Sequence, residues 1–127
     1  MTARAFTHDD LAIVQQWAGA RGMVIPPAFL PQDCVMVEKS GVTVAFAALF
    51  FRPAVCAIDH FTTNPDASPE SILHAFQALE SFASEVARSR GVCILQTFTE
   101  ARLAPAMSKL GYHVSDTPHV LITKALP

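Results

Sequence analysis

The sequence predicts an α/β (α+β) fold: one mixed, mostly antiparallel sheet with a central parallel strand pair, in the order β-α-βββ-α-β-α-ββ. Three observations predict it. Strand-patterned runs joined by short turn signals fill residues 34–63. A long amphipathic stretch with capping signals at both ends covers residues 68–91. A further strand pattern, residues 92–98, follows at once. A strand, a crossover helix of about five turns and a second strand make a right-handed βαβ unit, so residues 54–63 and 92–98 run parallel.

The chain has 127 residues, which suits one domain over residues 1–127. Hydrophobic residues make up 51% and charged residues 16%, against a usual charged share of about 25%, so a disordered chain is excluded. A net charge of −2 leaves no electrostatic footprint for nucleic acid or an anionic membrane. No apolar stretch reaches the roughly 18–20 residues of a membrane span, and residues 1–5 lack the apolar core of a signal peptide. Cys34, Cys56 and Cys93 are an odd set at wide spacing, which implies no disulfide framework. A cytoplasmic location is the expectation. The apolar surplus also suits a subunit interface, with a homodimer as the expected assembly.

Each element has its own signals. Residues 3–6 form a short edge strand. Thr7 as N-cap, then Asp9 and Asp10 in the first turn, opens a helix that ends near Gly19 or Gly22. Pro26, Pro27 and Pro31 limit the next stretch to a loop with at most one helical turn. Residues 34–38 and 42–51 form a hairpin across Lys39-Ser40-Gly41, the second strand buried on both faces. Residues 54–63 complete a meander after the turn at Arg52-Pro53. The long helix takes Ser68 as N-cap and Pro69 as first residue, with an apolar stripe of Ile72, Phe76, Leu79, Ala83 and Val86, widened by Leu73 and Phe82. Gly91 stops it. A short helix at residues 104–110 and a strand pair, residues 112–115 and 120–124, close the chain.

This order, together with Thr62-Thr63-Asn64-Pro65 leading into the long helix, the helix–Gly91–strand passage and the run Lys109-Leu110-Gly111-Tyr112, resembles the GNAT superfamily of acetyl-CoA-dependent N-acyltransferases. Asn64-Pro65 followed by Ser68 and Glu70 further resembles short, divergent GNAT-like proteins found among phage genes. The resemblance implies an acetyltransferase moving an acetyl group from acyl-CoA to a small-molecule or peptide amine, with acetyl-CoA as co-substrate. Backbone groups of Phe61, Thr62 and Thr63 would orient the acyl thioester and pantetheine, and Ala67, Ser68, Pro69, Glu70 and Ser71 would meet the pyrophosphate. In the family a glycine-rich loop with a basic residue holds that pyrophosphate. Here the basic position falls on Ser68 and the glycines on Ser71 and Leu73, with Pro69 between. Glu70 adds a negative charge, a cost on the order of 1 kcal/mol to an anion. The family's acidic tyrosine on the last helix falls on Met107, which has no proton to give; Tyr112 and Ser108 are the neighbouring alternatives.

The remaining chemistry lies on residues 54–63. Strict alternation puts Ala57, Asp59, Phe61 and Thr63 on one face and Ile58, His60 and Thr62 on the other. Asp59 matches an acidic position of the family; flanked by Ile58 and Phe61 it would be pushed toward a base's range, and otherwise it would pair with an arginine such as Arg52. His60 is the rival base, or a half-buried histidine with a backbone partner. His8, His74, His113 and His119 show no ligand spacing, so no metal site is expected. Phe29, Phe50 and Phe51 would line a substrate pocket or the core. Two functions are therefore weighed: an N-acetyltransferase, and a non-catalytic GNAT-like binding or assembly protein.

Overall fold

A computed structural model of the protein describes residues 1–99, 101–117, 122 and 124–126. Its elements are β1 (Thr2–Ala5), α1 (Leu11–Gly19), β2 (Cys34–Lys39), β3 (Val42–Arg52), β4 (Val55–Thr63), α2 (Pro69–Ser89), β5 (Leu95–Thr97) and α3 (Ala104–Lys109). One sheet runs in the order β1-β2-β3-β4-β5. Its first four strands pair antiparallel, and β5 joins β4 in parallel. The mixed sheet and the βαβ crossover stand as the sequence predicts.

Two helices cover its two faces. Val14, Trp17 and Ala18 of α1 pack on Met36, Phe46 and Ala48. Ala75, Leu79, Ala83 and Ala87 of α2 pack on Val35, Val37, Ala45, Ala47, Leu49 and Ile58. Successive strand residues thus serve opposite cores, and β3 is buried on both faces from Val44 to Leu49. Burying Phe46 and Leu79 completely contributes roughly 1.5–3 kcal/mol each. The α2 stripe sits slightly off its expected line. Ala75 and Ala87 are buried, Ile72 and Val86 are half-buried, and Leu73 faces solvent. Alanines at the contact let the helix lie close to the sheet, and the larger neighbours move to its margins.

Several boundaries differ from the expectation. Ala54 takes a left-handed turn at φ +70°, so β4 starts one residue later. β5 spans only Leu95–Thr97, because the Val92 amide still bonds Ala87 O at 2.9 Å in the closing turn of α2. Cys93 consequently lies exposed outside the strand, whereas Cys34 and Cys56 are buried. Residues 112–115 form no strand among the described residues, and their expected partner, residues 120–124, lies largely outside them. A single helical turn at Pro27–Phe29 fits the proline-rich loop. Among the described residues no helix is long and apolar enough to cross a membrane.

Polar clamps lock the layers. Arg4 forks onto both oxygens of Asp10 at 2.8 Å and bonds Glu38 at 2.8 Å, tying β1, the turn before α1 and β2. Asp10 also accepts the Thr7 amide at 2.7 Å, closing the helix start. Arg90, at the end of α2, forks onto Asp33 at 2.7 and 2.8 Å and lies 4.3 Å over the Phe51 ring.

The Arg4 guanidinium holds the buried Asp10 carboxyl down at about 2, from 3.8. A lowered folded-state pKa gives stability that is full above about 3.8 and lost as pH falls toward 2. Urea unfolding of the wild type should therefore lose about 2 kcal/mol more between pH 5 and pH 2 than Asp10→Asn does.

Candidate functional site

The site is built by one irregularity in β4. From Val55 to Asp59 the strand pairs in step with β3, ending at Ala48↔Asp59; the next pair before Thr63 is Phe46↔Thr62. Two steps along β3 thus match three along β4, a β-bulge. Its extra residue is His60, in the left-handed region at φ +53°. Local bonds replace the lost ladder: Asp59 Oδ1 accepts the His60 amide at 2.7 Å, and Thr62 Oγ1 donates to His60 O at 2.8 Å.

The bulge corrects the expected alternation. Ala57 and Asp59 lie opposite Phe50 and Ala48, on the α1 face. Past the bulge, Thr63 pairs with Ala45 and Phe61 meets Phe76 at 5.4 Å between ring centres, so both have crossed to the α2 face. Thr62 pairs with Phe46 and His60 sits 6.0 Å from Phe50, so both join Asp59 on the α1 face. One inserted residue flips every later side chain. Asp59 therefore loses the expected cover of Phe61. It is exposed, and its carboxylate bonds the amide of His60 rather than Arg52. His60 is half-buried beside Phe50; Phe51 lies under Arg90, and Phe29 is 64% exposed and lines no core.

The bulge also ends the pairing with β5. The parallel ladder covers Cys56↔Leu95, Ala57↔Gln96 and Ile58↔Thr97, and Thr97 Oγ1 closes it on Ile58 O at 3.0 Å. Asp59 to Thr63 continue with no strand on that side among the described residues, leaving roughly 15 Å of open backbone edge. The Cys56 amide points to β5, bonding Ile94 O at 2.9 Å, while the Asn64 amide points to β3, bonding Val44 O at 2.8 Å. With the extra residue between them, Phe61 and Thr63 turn their amides and carbonyls to the open flank.

A tight turn carries this edge to α2. Asn64 accepts the Asp66 amide on Oδ1 and the Ala67 amide on its carbonyl, both at 3.0 Å, and its Nδ2 donates to Thr43 O at 3.3 Å. Ser68 Oγ then accepts the Ser71 amide at 3.2 Å. That cap takes one donor from the helix start, Pro69 has no amide proton, and Glu70 lies in the first turn. The predicted residues Phe61, Thr62, Thr63, Ala67, Ser68, Pro69, Glu70 and Ser71 thus form one continuous rim, more suited to a neutral chain than to an anion.

Sequence reasoning missed one member. Arg21, after α1, donates from Nη1 to Thr63 O at 2.6 Å and from Nη2 to Thr63 Oγ1 at 2.7 Å. No sequence signal joins residues so far apart.

Two concavities of about 550 and 530 Å3 lie elsewhere, along the outer side of β5, lined by its residues and those around α3. Tyr112 lines both. Its buried hydroxyl has no partner among the described residues, and burial, then Glu80, pushes its pKa up to about 12. Met107 lines the larger one. Among the described residues no three side chains converge as metal ligands.

No protein-family model and no curated protein matches the chain. Solved structures do. A Trypanosoma brucei acetyltransferase is 18% identical with a TM-score of 0.69, covering 95% of this chain and 98% of its own. A predicted acetyltransferase with acetyl-CoA from Clostridium acetobutylicum is 13% identical at TM-score 0.63, covering 95% of each chain. A GCN5-related N-acetyltransferase from Ralstonia eutropha is 15% identical at 0.62, covering 94% of this chain and 97% of its own. The fold is thus that of GNAT-type acetyltransferases.

A side chain at positive φ costs about 1–2 kcal/mol, close to what glycine loses through added unfolded-state freedom. His60→Gly should therefore stay within about 1 kcal/mol of wild type in urea unfolding. A β-branched replacement, His60→Val, should lose about 1–2 kcal/mol.

Proposed function

We propose that the chain is an acyl-CoA-dependent N-acetyltransferase that lays its acyl donor along the open flank of β4. The observation that carries this reading is the end of the β4–β5 ladder at Ile58↔Thr97, with β4 running on to Thr63. Phe61 turns its amide and carbonyl to that flank and Thr63 its amide, the Thr63 carbonyl being held by Arg21, and the two amides of a pantetheine arm are a matching peptide-like partner. Acetyl-CoA, when bound, supplies the activated acetyl group. The chain orients the thioester and the pantetheine arm behind it through Phe61, Thr62 and Thr63 and moves one proton. Asp59 accepts it from the acceptor amine, directly or through water, with His60 beside it as the alternative base. Solvent exposure keeps the Asp59 carboxylate accessible to such a relay. Met107 gives no proton to the departing thiolate, which takes one from water. The acceptor is a small-molecule or peptide amine.

A specific observation favours a second reading, a GNAT-like protein that binds or assembles without catalysis. The helix start spends its Ser71 amide on Ser68 and carries Glu70, which weakens any hold on a pyrophosphate. Exposed Val24 (85%) and Phe29 offer an apolar contact surface instead.

Thermal unfolding with and without acetyl-CoA separates the two. At a ligand concentration 100 times Kd the fold should gain about 2.7 kcal/mol, and Glu70→Gly should enlarge the shift. An unchanged midpoint at millimolar acetyl-CoA would leave only the second reading.

A further inference from the structure

We infer that Arg21 supplies the cation that grips the phosphate end of the acyl donor, in place of the basic residue missing at Ser68. The inference rests on the transferase reading and deepens it. Between Thr63 and Ser71 the chain carries Asp66 and Glu70 and no basic residue, so this rim is acidic by sequence. A phosphorylated ligand lying there needs positive charge from outside the segment. Among the described residues, Arg21 is the cation whose hydrogen bonds reach it.

Its geometry suits the task. A guanidinium has five N–H donors in a planar fork. Two are spent on Thr63, and the other three meet no partner among the described residues. Arg21 also takes no part in the described ion pairs, so its charge is uncommitted. The residue is held at both ends. Its amide bonds Ala18 O at 3.0 Å, and the following Gly22, at φ +69°, completes the turn that closes α1. Most of the freedom of a long side chain is thus already lost before any ligand arrives, which favours binding by an anion. The anchor point matters too. Thr63 directs its carbonyl to the open flank, so the guanidinium stands at the end of that open edge, next to the turn that leads into α2. A donor stretched along β4 would place its thioester near Asp59 and His60 and its charged end near Arg21.

The test compares ligands with and without phosphate. Calorimetry would measure coenzyme A and pantetheine binding to the full chain, its Arg21→Gln variant and its Arg21→Lys variant. Gln keeps a donor for Thr63 and removes the charge; Lys keeps the charge and loses the fork. Losing charge-assisted bonds should weaken coenzyme A about 10- to 100-fold in Arg21→Gln, and less in Arg21→Lys, while pantetheine binds all three alike. The salt dependence of coenzyme A binding should also flatten in Arg21→Gln. Equal losses for both ligands would mean that Arg21 only holds β4 in place and would overturn the inference. So would unchanged coenzyme A affinity in Arg21→Gln, while leaving the transferase reading intact. Should the wild type bind neither ligand, that reading fails and the inference with it.

Discussion

Between Ala48 and Phe46 the third strand advances two residues while the fourth advances three, from Asp59 to Thr62, and the rest of the molecule is arranged around that mismatch. An antiparallel sheet joined to a parallel strand would otherwise continue its ladder to the end of β4. The surplus residue turns the backbone, redirects Phe61 and Thr63, and leaves β5 behind after Ile58. It costs strain at His60, which sits where side chains are disfavoured. The strain persists because both sides of the bulge are fixed: Ile58 and Thr62 are buried in opposite cores, and Asp59 and Thr62 bond the displaced backbone.

Those cores make the irregularity affordable in a small protein. Val35, Ala45, Ala47 and Leu49 hold α2 on one face, while Met36, Phe46 and Ala48 hold α1 on the other. Small residues in β3 bring both helices near. The polar contacts then set angles rather than strength. Arg4 joins the first strand to the start of α1, and Arg90 joins the end of α2 to Asp33 and Phe51. Surface-exposed pairs such as Arg90–Asp33 contribute little on their own, about 0–1 kcal/mol, but their fork geometry allows one orientation.

Much of this was legible in the residues. The meander, the Ser68-Pro69 helix start and the Gly91 stop are local signals, and each stands where the sequence places it. The parallel pairing of β4 with β5 was legible too, since a βαβ unit fixes which strands are parallel. The bulge was not. Nothing in Ile58-Asp59-His60-Phe61 marks an inserted residue: there is no glycine, and strict alternation is the default for such a run. From that error followed the wrong face for Phe61, Thr62, Thr63 and His60 and the lost cover of Asp59. The short β5 was missed because Val92 and Cys93 have strand propensity, while the closing turn of α2 claims the first of them. Arg21 was invisible for another reason: its partner is a backbone carbonyl far along the chain, and such contacts leave no pattern.

The elements on either side of the open β4 edge are held unequally. α2 is pinned at its far end by the fork of Arg90 on Asp33 and at its near end by the Ser68 cap. Neither can slip without breaking charged or capping bonds. β5 is held by three residue pairs, the Cys56 amide on Ile94 O, the hydroxyl of Thr97 and the packing of Leu95 on the core under α2. Of the two borders of the open β4 edge, the β5 side is tied by a short ladder and the α2 side by a charged fork at one end and a cap at the other.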